Sequence, residues 1–490
     1  MEYEVIIGME THIELDTASK MFCECSAAFH GAEPNTNVCP TCGGMPGAMP
    51  VINARAVEFA MKVGLALNCA IHTRTFWERK SYWYPDLPKG YQLTQYMYPM
   101  SYDGWLDVDV RDLSSGNWVE ECYRKRVRVR RAHLEEDTGK LTHVGSRSMV
   151  DYNRSGVPLL EIVTEPDIYS ADEAFAYLSA LQNIVRYLGV STGDMEKGAM
   201  RCEPNMSLRP KGTTAFGTKV EIKNLNSLRA VRDSIAYEIR RQTAVLDAGG
   251  RVEQVTLGWD PDRMATFVQR RKEDAHDYRY FPEPDLPPLH VSEEWLARTR
   301  VGVPTLALER QDRYRAEYGL SAYDAAQLTV DRATSDWFDR AVAAAGAPHA
   351  KAIANFLQID FARLMRAGGV DSIDAVRVRP EQLAELVRLV DAKTINVNTA
   401  RQVLEEMFAG GADAGTIVQS RGLGQVNDQD ALRAVVAQVL DANAKEVEQY
   451  LAGNQKVFGF FVGQAMKALK GKGNAPVLND LFREELEKRR

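Results

Sequence analysis

Residues 5–16, VIIGMETHIELD, place Glu10, His12, Glu14 and Asp16 in alternation with Met9, Thr11, Ile13 and Leu15. Period two puts the acids and the imidazole on one face of a strand and the apolar residues on the other. An unpaired carboxylate costs several kcal/mol to bury, so the polar face requires hydrogen-bond partners, a metal ion or water. A half-exposed strand with a solvated face meets the pattern as well as a metal or acid-base site does. A second concentration of chemistry follows directly, with Cys23 and Cys25 in MFCECS and Cys39 and Cys42 in VCPTCGGMPG. Two close pairs separated by a loop can bring four thiolates to one tetrahedral ion, and glycines 43, 44 and 47 supply the turns. Such a zinc ion has no open position and is structural. Reduced cysteines in a plain loop, or a redox pair, are the alternatives.

Further short runs set charged groups among apolar ones at strand spacing. They are His133, Glu135, Glu136 and Asp137 in HLEEDTGK; Asp151, Asn153 and Arg154 in VDYNRSG; and Glu161 and Glu165 in PLLEIVTEPD. Glu196, Arg201, Glu203 and Asn205 follow in MEKGAMRCEPNMSL, then Lys219, Glu221 and Lys223 in FGTKVEIKNLNS. Acids and bases on many separate strands suit a catalytic cradle floored by a sheet. Mg²⁺ prefers oxygen ligands and keeps water while meeting phosphate, so such carboxylates can hold a metal-nucleotide. Neither a P-loop nor a G-x-G-x-x-G after a strand is present. The pattern fits a metal-dependent phosphoryl-transfer or ligase site, with lysines and arginines neutralising phosphoryl oxygens.

The elements that position these groups are legible in outline. Apolar spacing predicts helices over 53–68 and 172–188, the latter ended by Gly189. Strands are expected over 106–110 and 118–131 around a turn at 114–117. Arg124, Arg126, Arg128 and Arg130 share one face of the second strand, as a solvated edge or as a cationic floor for an anion. The aromatic run around Tyr82, Trp83, Tyr84, Tyr91, Gln92, Gln95 and Tyr96 reads equally as a pocket lining or as ordinary packing. A proline-rich segment, 276–292, closes the strand-rich half, and the remainder is helical in pattern. The run GGADAGT at 410–416 marks a boundary.

At 490 residues the chain predicts two to four domains. Its 45% hydrophobic and 26% charged content is ordinary for a globular protein. No apolar run approaches a membrane span and no signal peptide is evident, so a cytoplasmic location is expected. The net charge of -7 argues against coating nucleic acid by bulk charge. Local basic groups remain, notably Lys467, Lys470 and Lys472 around a Gly-Lys-Gly-Asn turn. Four of the seven cysteines clustered within twenty residues suit a metal better than secretory disulfides.

These runs, together with SKMFCECS, CPTCGGMPGAMPVIN, YPDLPKGYQLTQY, DYRYFPEPDLPPL and FVGQAMKALKGKGNAP, resemble the B-subunit family of aspartyl/glutamyl-tRNA(Asn/Gln) amidotransferases in one continuous order. The resemblance implies an α+β architecture. A cradle with an antiparallel sheet like that of glutamine synthetase and guanido kinases would occupy 1–292, with a zinc knuckle at 23–42. A helical domain over 293–410 and a three-helix, tRNA-binding tail over 411–490 would follow. It implies a ligase that uses ATP and Mg²⁺ to phosphorylate the side-chain carboxylate of misacylated Glu-tRNA(Gln) or Asp-tRNA(Asn), then amidates it. The ammonia would come through a channel from a separate amidase chain of the same heterotrimer, with a small third chain steadying the pair. Assembly with the non-discriminating aminoacyl-tRNA synthetase is compatible with this scheme.

Carried onto this sequence, the implied magnesium positions are Glu10, His12 and Glu135 or Glu136. Glu161, Glu196, Glu203, Asn205 and Glu221 would contact nucleotide, metal or activated substrate. Arg201, Lys219 and Lys223 would meet phosphate charge. Cys23, Cys25, Cys39 and Cys42 match the zinc-bearing form of the family, and Lys467, Lys470 and Lys472 the tRNA-binding tail. The chain lacks an amidase-like Gly/Ser-rich signature and the large insertion of the archaeal relative. A non-catalytic tRNA-binding scaffold and a self-contained small-molecule kinase are the rival functions.

Overall fold

Alternation along Tyr3–Glu14 (β1) is realised as the sequence predicts: Ile7, Met9 and Ile13 are fully buried, while Glu10 and His12 are carried on the opposite face. The computed structural model describes residues 2–111, 122–271, 278–424, 429–469 and 473–489. These form two compact units, Met1–Glu309 and Arg310–Arg490.

The first unit is built on a twelve-stranded sheet. Beside β1, the strands that matter for the site are Glu78–Ser81 (β2), Tyr91–Thr94 (β3), Ser101–Arg111 (β4), Cys122–Glu136 (β5) and Pro158–Thr164 (β6). Met200–Pro210 (β7), Val220–Lys223 (β8), Val255–Asp260 (β9) and Ala265–Arg271 (β10) complete the series. The order runs β10-β9-β8-β7-β1-β6-β5-β3-β2, and β4 also pairs with β5. Helices Ala54–Ala66 (α1), Ala171–Tyr187 (α2) and Leu228–Asp247 (α3) send Phe59, Tyr177, Leu181 and Ile235 into the core with Ile7, Met9 and Ile13 of β1. Asn53 caps α1 and Ser170 caps α2 through side-chain oxygens, and Gly189, at φ +63°, closes α2.

The sheet is mixed rather than wholly antiparallel. The β8–β9 pair is parallel, because α3 intervenes between them and returns the chain in the same direction, as a crossover requires. Nor is β5 an edge: it is flanked by β6 on one side and by β4 and β3 on the other. Its four arginines instead form a cross-strand ladder with carboxylates, Arg124–Asp109, Arg126–Asp107, Arg128–Asp167 and Arg130–Glu165, at 2.7–2.9 Å. Each charge is already matched, so this row is not an open cationic floor. The turn expected at 114–117 lies outside the described residues.

A β-bulge decides which residues of β5 reach the polar face. Val163 pairs with Arg131 but Thr164 pairs with Val129, leaving Arg130 as the extra residue. Before the bulge the odd residues Val127 and Val129 face the core; after it the even residues Ala132 and Leu134 do. His133 and Glu135 are thereby placed on the face that already carries Glu10 and His12, since a one-residue slip exchanges the faces of a strand. Thr164 Oγ1 accepts the buried Met9 N–H at 2.9 Å beside the irregularity.

Helix Glu293–Val301 belongs to the first unit, where Trp295 and Leu296 pack on its core, so that unit continues past the proline-rich segment. The second unit is helical throughout its described residues. One core gathers Tyr314, Phe338, Phe361, Leu386, Leu404 and Val418. Residues 414–420, placed with the tail by sequence, contribute Ala414, Ile417 and Val418 to this core. A separate core unites Leu432, Leu440, Phe461, Leu478 and Phe482. The described residues of the tail hold four α-helices rather than the three that the resemblance implies, Gln429–Ala442, Ala444–Leu451, Phe458–Ala468 and Ala475–Lys488, with breaks at Asn443 and around Gly453. Among the described residues, no helix is long and apolar enough to cross a membrane.

Candidate active site

Strand register assembles a row of titratable groups. His12 of β1 lies opposite Glu161 of β6, which lies opposite His133 of β5; on the other side His12 faces Arg201 of β7, and Glu10 faces Glu203. His12 Nε2 is 3.3 Å from Glu161 Oε2, and His133 Nε2 is 3.3 Å from Glu135 Oε1 and 3.7 Å from Glu161 Oε2. Two trios result, Glu10–His12–Glu161 and His133–Glu135–Glu161, each with donor atoms within 4.8 Å of one another. Glu161 belongs to both. The solvated-strand alternative for β1 is therefore set aside.

Neighbouring strands orient the acids. Glu135 accepts from Thr94 Oγ1 at 2.7 Å and from Gln92 Nε2 at 3.0 Å. Lys223 Nζ donates to Glu203 at 2.6 Å and stands 3.5 Å from Glu221, whose other oxygen accepts from Thr256. At the end of the row, Arg201 donates to Asp137 at 2.6 Å, while Arg154 is anchored on the Thr138 and Gly139 carbonyls at 2.9 Å. Arg201 Nε and Asn205 Oδ1 are buried without a hydrogen-bond partner.

The electrostatics follow from this crowding. Burial disfavours the His12 imidazolium, but the hydrogen bond to Glu161 and the charges of Glu161, Glu135 and Glu10 outweigh it and push the ring up to about 9. Burial, then the Glu161 charge, raises Glu10 above its ordinary value. Burial also works against ionised Glu161, yet His133 and His12 hold it far below its ordinary value. Lys80 of β2, opposed by burial, is raised by Glu135, Tyr280 and Glu161. Ionised Glu161 thus lies at the centre of the row beside the two imidazoles, with Lys80, Arg201 and Lys223 around it, groups suited to a divalent cation and the phosphate oxygens it would meet.

Not every expected residue joins. Glu136 follows Glu135 in the strand and so faces the other way, where Lys89 and the Leu93 N–H hold it. Glu196 is exposed on the turn before β7, and Lys219 is exposed ahead of β8; neither is within ion-pair distance of the row. Lys467 is exposed in the last turn of its helix, and Lys470 and Lys472 lie outside the described residues. Sequence reasoning counts His133 among the charged groups of the cradle without a specific role, and gives Lys80 none. The bulge kept the facing of His133 relative to Glu10 and His12 from being read, while Lys80 sits beside Arg79 in ERKS, a charged pair on one short strand.

The cysteine knuckle is also assembled. Cys42 Sγ lies 3.8 Å from Cys39 Sγ and 4.0 Å from Cys25 Sγ, and all four sulfurs fall within 4.8 Å of one another. A tetrahedron with Zn–S bonds of about 2.3 Å has edges of about 3.8 Å, so the donors fit zinc. A hydrogen bond from Cys23 holds the Cys42 thiol down to about 4 against burial, with the Lys20 charge adding to the effect.

Comparison with known proteins gives the family. Residues 5–297 match the family described as GatB/GatE catalytic domain, and residues 336–486 match the GatB domain. The chain is 50% identical over 490 residues to the B subunit of the aspartyl/glutamyl-tRNA(Asn/Gln) amidotransferase of Moorella thermoacetica, covering 99% of this chain and all of that one. It is 47% identical over 487 residues to the proteins of the same description from Persephonella marina and Myxococcus xanthus, with 99% of this chain and 100% and 99% of theirs covered.

Proposed function

The chain belongs to the GatB/GatE family, and from that premise we propose that it is the synthetase component of a glutamine-dependent tRNA amidotransferase. It phosphorylates the side-chain carboxylate of misacylated Glu-tRNA(Gln) or Asp-tRNA(Asn) with ATP and converts the acyl phosphate to an amide. The observation that carries this reading is the convergence of Glu10, His12, Glu135 and Glu161 from three adjacent strands, framed by Lys80, Arg201 and Lys223.

A carboxylate does not expel oxide, so activation precedes amidation. A carboxylate oxygen attacks the γ-phosphorus and ADP departs. Ammonia adds to the acyl carbon, phosphate leaves with that oxygen, and a proton is lost from nitrogen. Glu10, His12, Glu135 and Glu161 would hold magnesium, which neutralises phosphate charge when bound. Arg201 and Lys223 meet the phosphoryl oxygens as negative charge shifts during transfer. Asn205, Glu203 and Glu221 line the adjacent strands and orient the nucleotide. Lys219 and Glu196, exposed at strand ends, contact it only from the rim.

We read the mixed sheet as a cradle related to that of glutamine synthetase and guanido kinases. The helical segments serve tRNA, with Lys467, Lys470 and Lys472 against its backbone. The four cysteines hold a structural zinc. Ammonia is delivered by a partner amidase, and a small third chain completes the heterotrimer. The test is Glu10→Gln in the reconstituted heterotrimer. Amide formation should fall at least 100-fold while glutamine hydrolysis persists; normal amide formation would refute the assignment.

A further inference from the structure

Lys20 is fully buried, an unusual position for an ammonium group. Its Nζ donates to Asn37 O at 2.7 Å, to Tyr152 O at 3.3 Å and to Cys42 Sγ at 3.6 Å. Among the described residues, no carboxylate lies within ion-pair distance of it. The two acids lining the same cavity are already held, Glu136 by Lys89 and the Leu93 N–H, and Asp285 by Arg79. A buried cation without a counter-charge is strongly disfavoured, and among the described residues the sulfur of Cys42 is the one hydrogen-bond partner of this ammonium that can carry a full negative charge.

The cysteine site has the complementary imbalance. Four thiolates around Zn²⁺ leave two negative charges, in a knuckle where Cys42 is buried. Partial relief comes from the Cys39 N–H, 3.2 Å from Cys42 Sγ. We propose that Lys20 is the counter-ion of the zinc tetrathiolate, so that the buried ammonium and the metal site each require the other. This inference rests on the zinc reading of the four cysteines.

The same ammonium joins the knuckle to the segment that follows the acidic strand. Tyr152 O, its second carbonyl partner, directly precedes Asn153, whose side chain accepts from Asn37 N–H and donates to Glu33 O. Arg154, next in line, is anchored beside Asp137, the partner of Arg201. Lys20 thus sits where the metal loop meets the support of the phosphate-facing arginine.

The experiment is zinc competition against a chromophoric chelator, with the purified full chain and its Lys20→Met and Lys20→Gln variants. Met keeps the volume and removes the charge; Gln retains donors without charge. Both variants should bind zinc about 10–100-fold more weakly than the unmodified chain, as loss of an outer partner of a metal ligand does. Zinc affinity equal to that of the unmodified chain in either folded variant overturns the proposal, even if stability falls. Should Lys20→Met fail to fold, Lys20→Gln alone decides between these outcomes. An unmodified chain that binds no zinc overturns the zinc reading itself and the counter-ion role with it.

Discussion

Replacing Glu161 by Gln removes the carboxylate shared by both trios while keeping its size. Glu161 Oε2 stands 3.3 Å from His12 Nε2, and its hydrogen bond and charge lead the influences that raise His12 from 6.5 to about 9. That displacement corresponds to about 3 kcal/mol in favour of the imidazolium, at about 1.4 kcal/mol per pH unit. With Glu161 neutral, burial still disfavours the charged ring and only the Glu135 and Glu10 charges oppose it, so His12 in Glu161→Gln should titrate clearly below 9. The folded-state value in the unmodified chain is the raised one. Its stabilising contribution is therefore complete below about pH 6.5 and disappears as pH rises through about 9. The assay is NMR titration of histidine-labelled, metal-free protein, paired with denaturant unfolding across that interval. In the reconstituted enzyme the same variant should lose at least 100-fold in amide formation. A His12 still titrating near 9 in the variant, or turnover within threefold of normal, would refute the shared-carboxylate argument.

Asp137 is expected to act through Arg201, so Asp137→Asn and Arg201→Ala should be non-additive in a double-mutant cycle on kcat, the double variant resembling Arg201→Ala; multiplying effects would show that Asp137 merely supports the fold. Thr164→Val removes the acceptor for the buried Met9 N–H beside the bulge and should lower unfolding free energy by about 1–3 kcal/mol, an outcome contradicted by an unchanged denaturation midpoint. Lys467→Ala should raise KM for tRNA, leave kcat within twofold and reduce the salt dependence of tRNA binding by about one phosphate contact. A fall in kcat at constant KM would count against that role.

Much of the site was legible because period two is local information. Glu10 and His12 could be assigned to one face from eight residues, and the cysteine spacing announced its own convergence. Block-for-block resemblance supplied the roles that spacing could not. What the sequence did not disclose depended on pairing. The bulge at Arg130 reverses facing in the middle of β5, so His133 enters the site and Glu136 leaves it, although both occur in HLEED. The arginine ladder looked like an edge or an anion floor until its partners Asp107, Asp109, Glu165 and Asp167 were placed beside it. The parallel β8–β9 pair required knowing that α3 returns the chain to the same sheet.

The central claim is that the substrate carboxylate is phosphorylated in this cradle. Its most direct test uses the heterotrimer with glutamine, Mg²⁺ and ATP, and misacylated tRNA whose side-chain carboxylate carries ¹⁸O at both oxygens. Mass spectrometry of the released phosphate should find one ¹⁸O per amide formed, because the oxygen that attacks phosphorus leaves with it. Amide formation accompanied by unlabelled phosphate would contradict carboxyl activation and the role given to the Glu10–His12–Glu161 row.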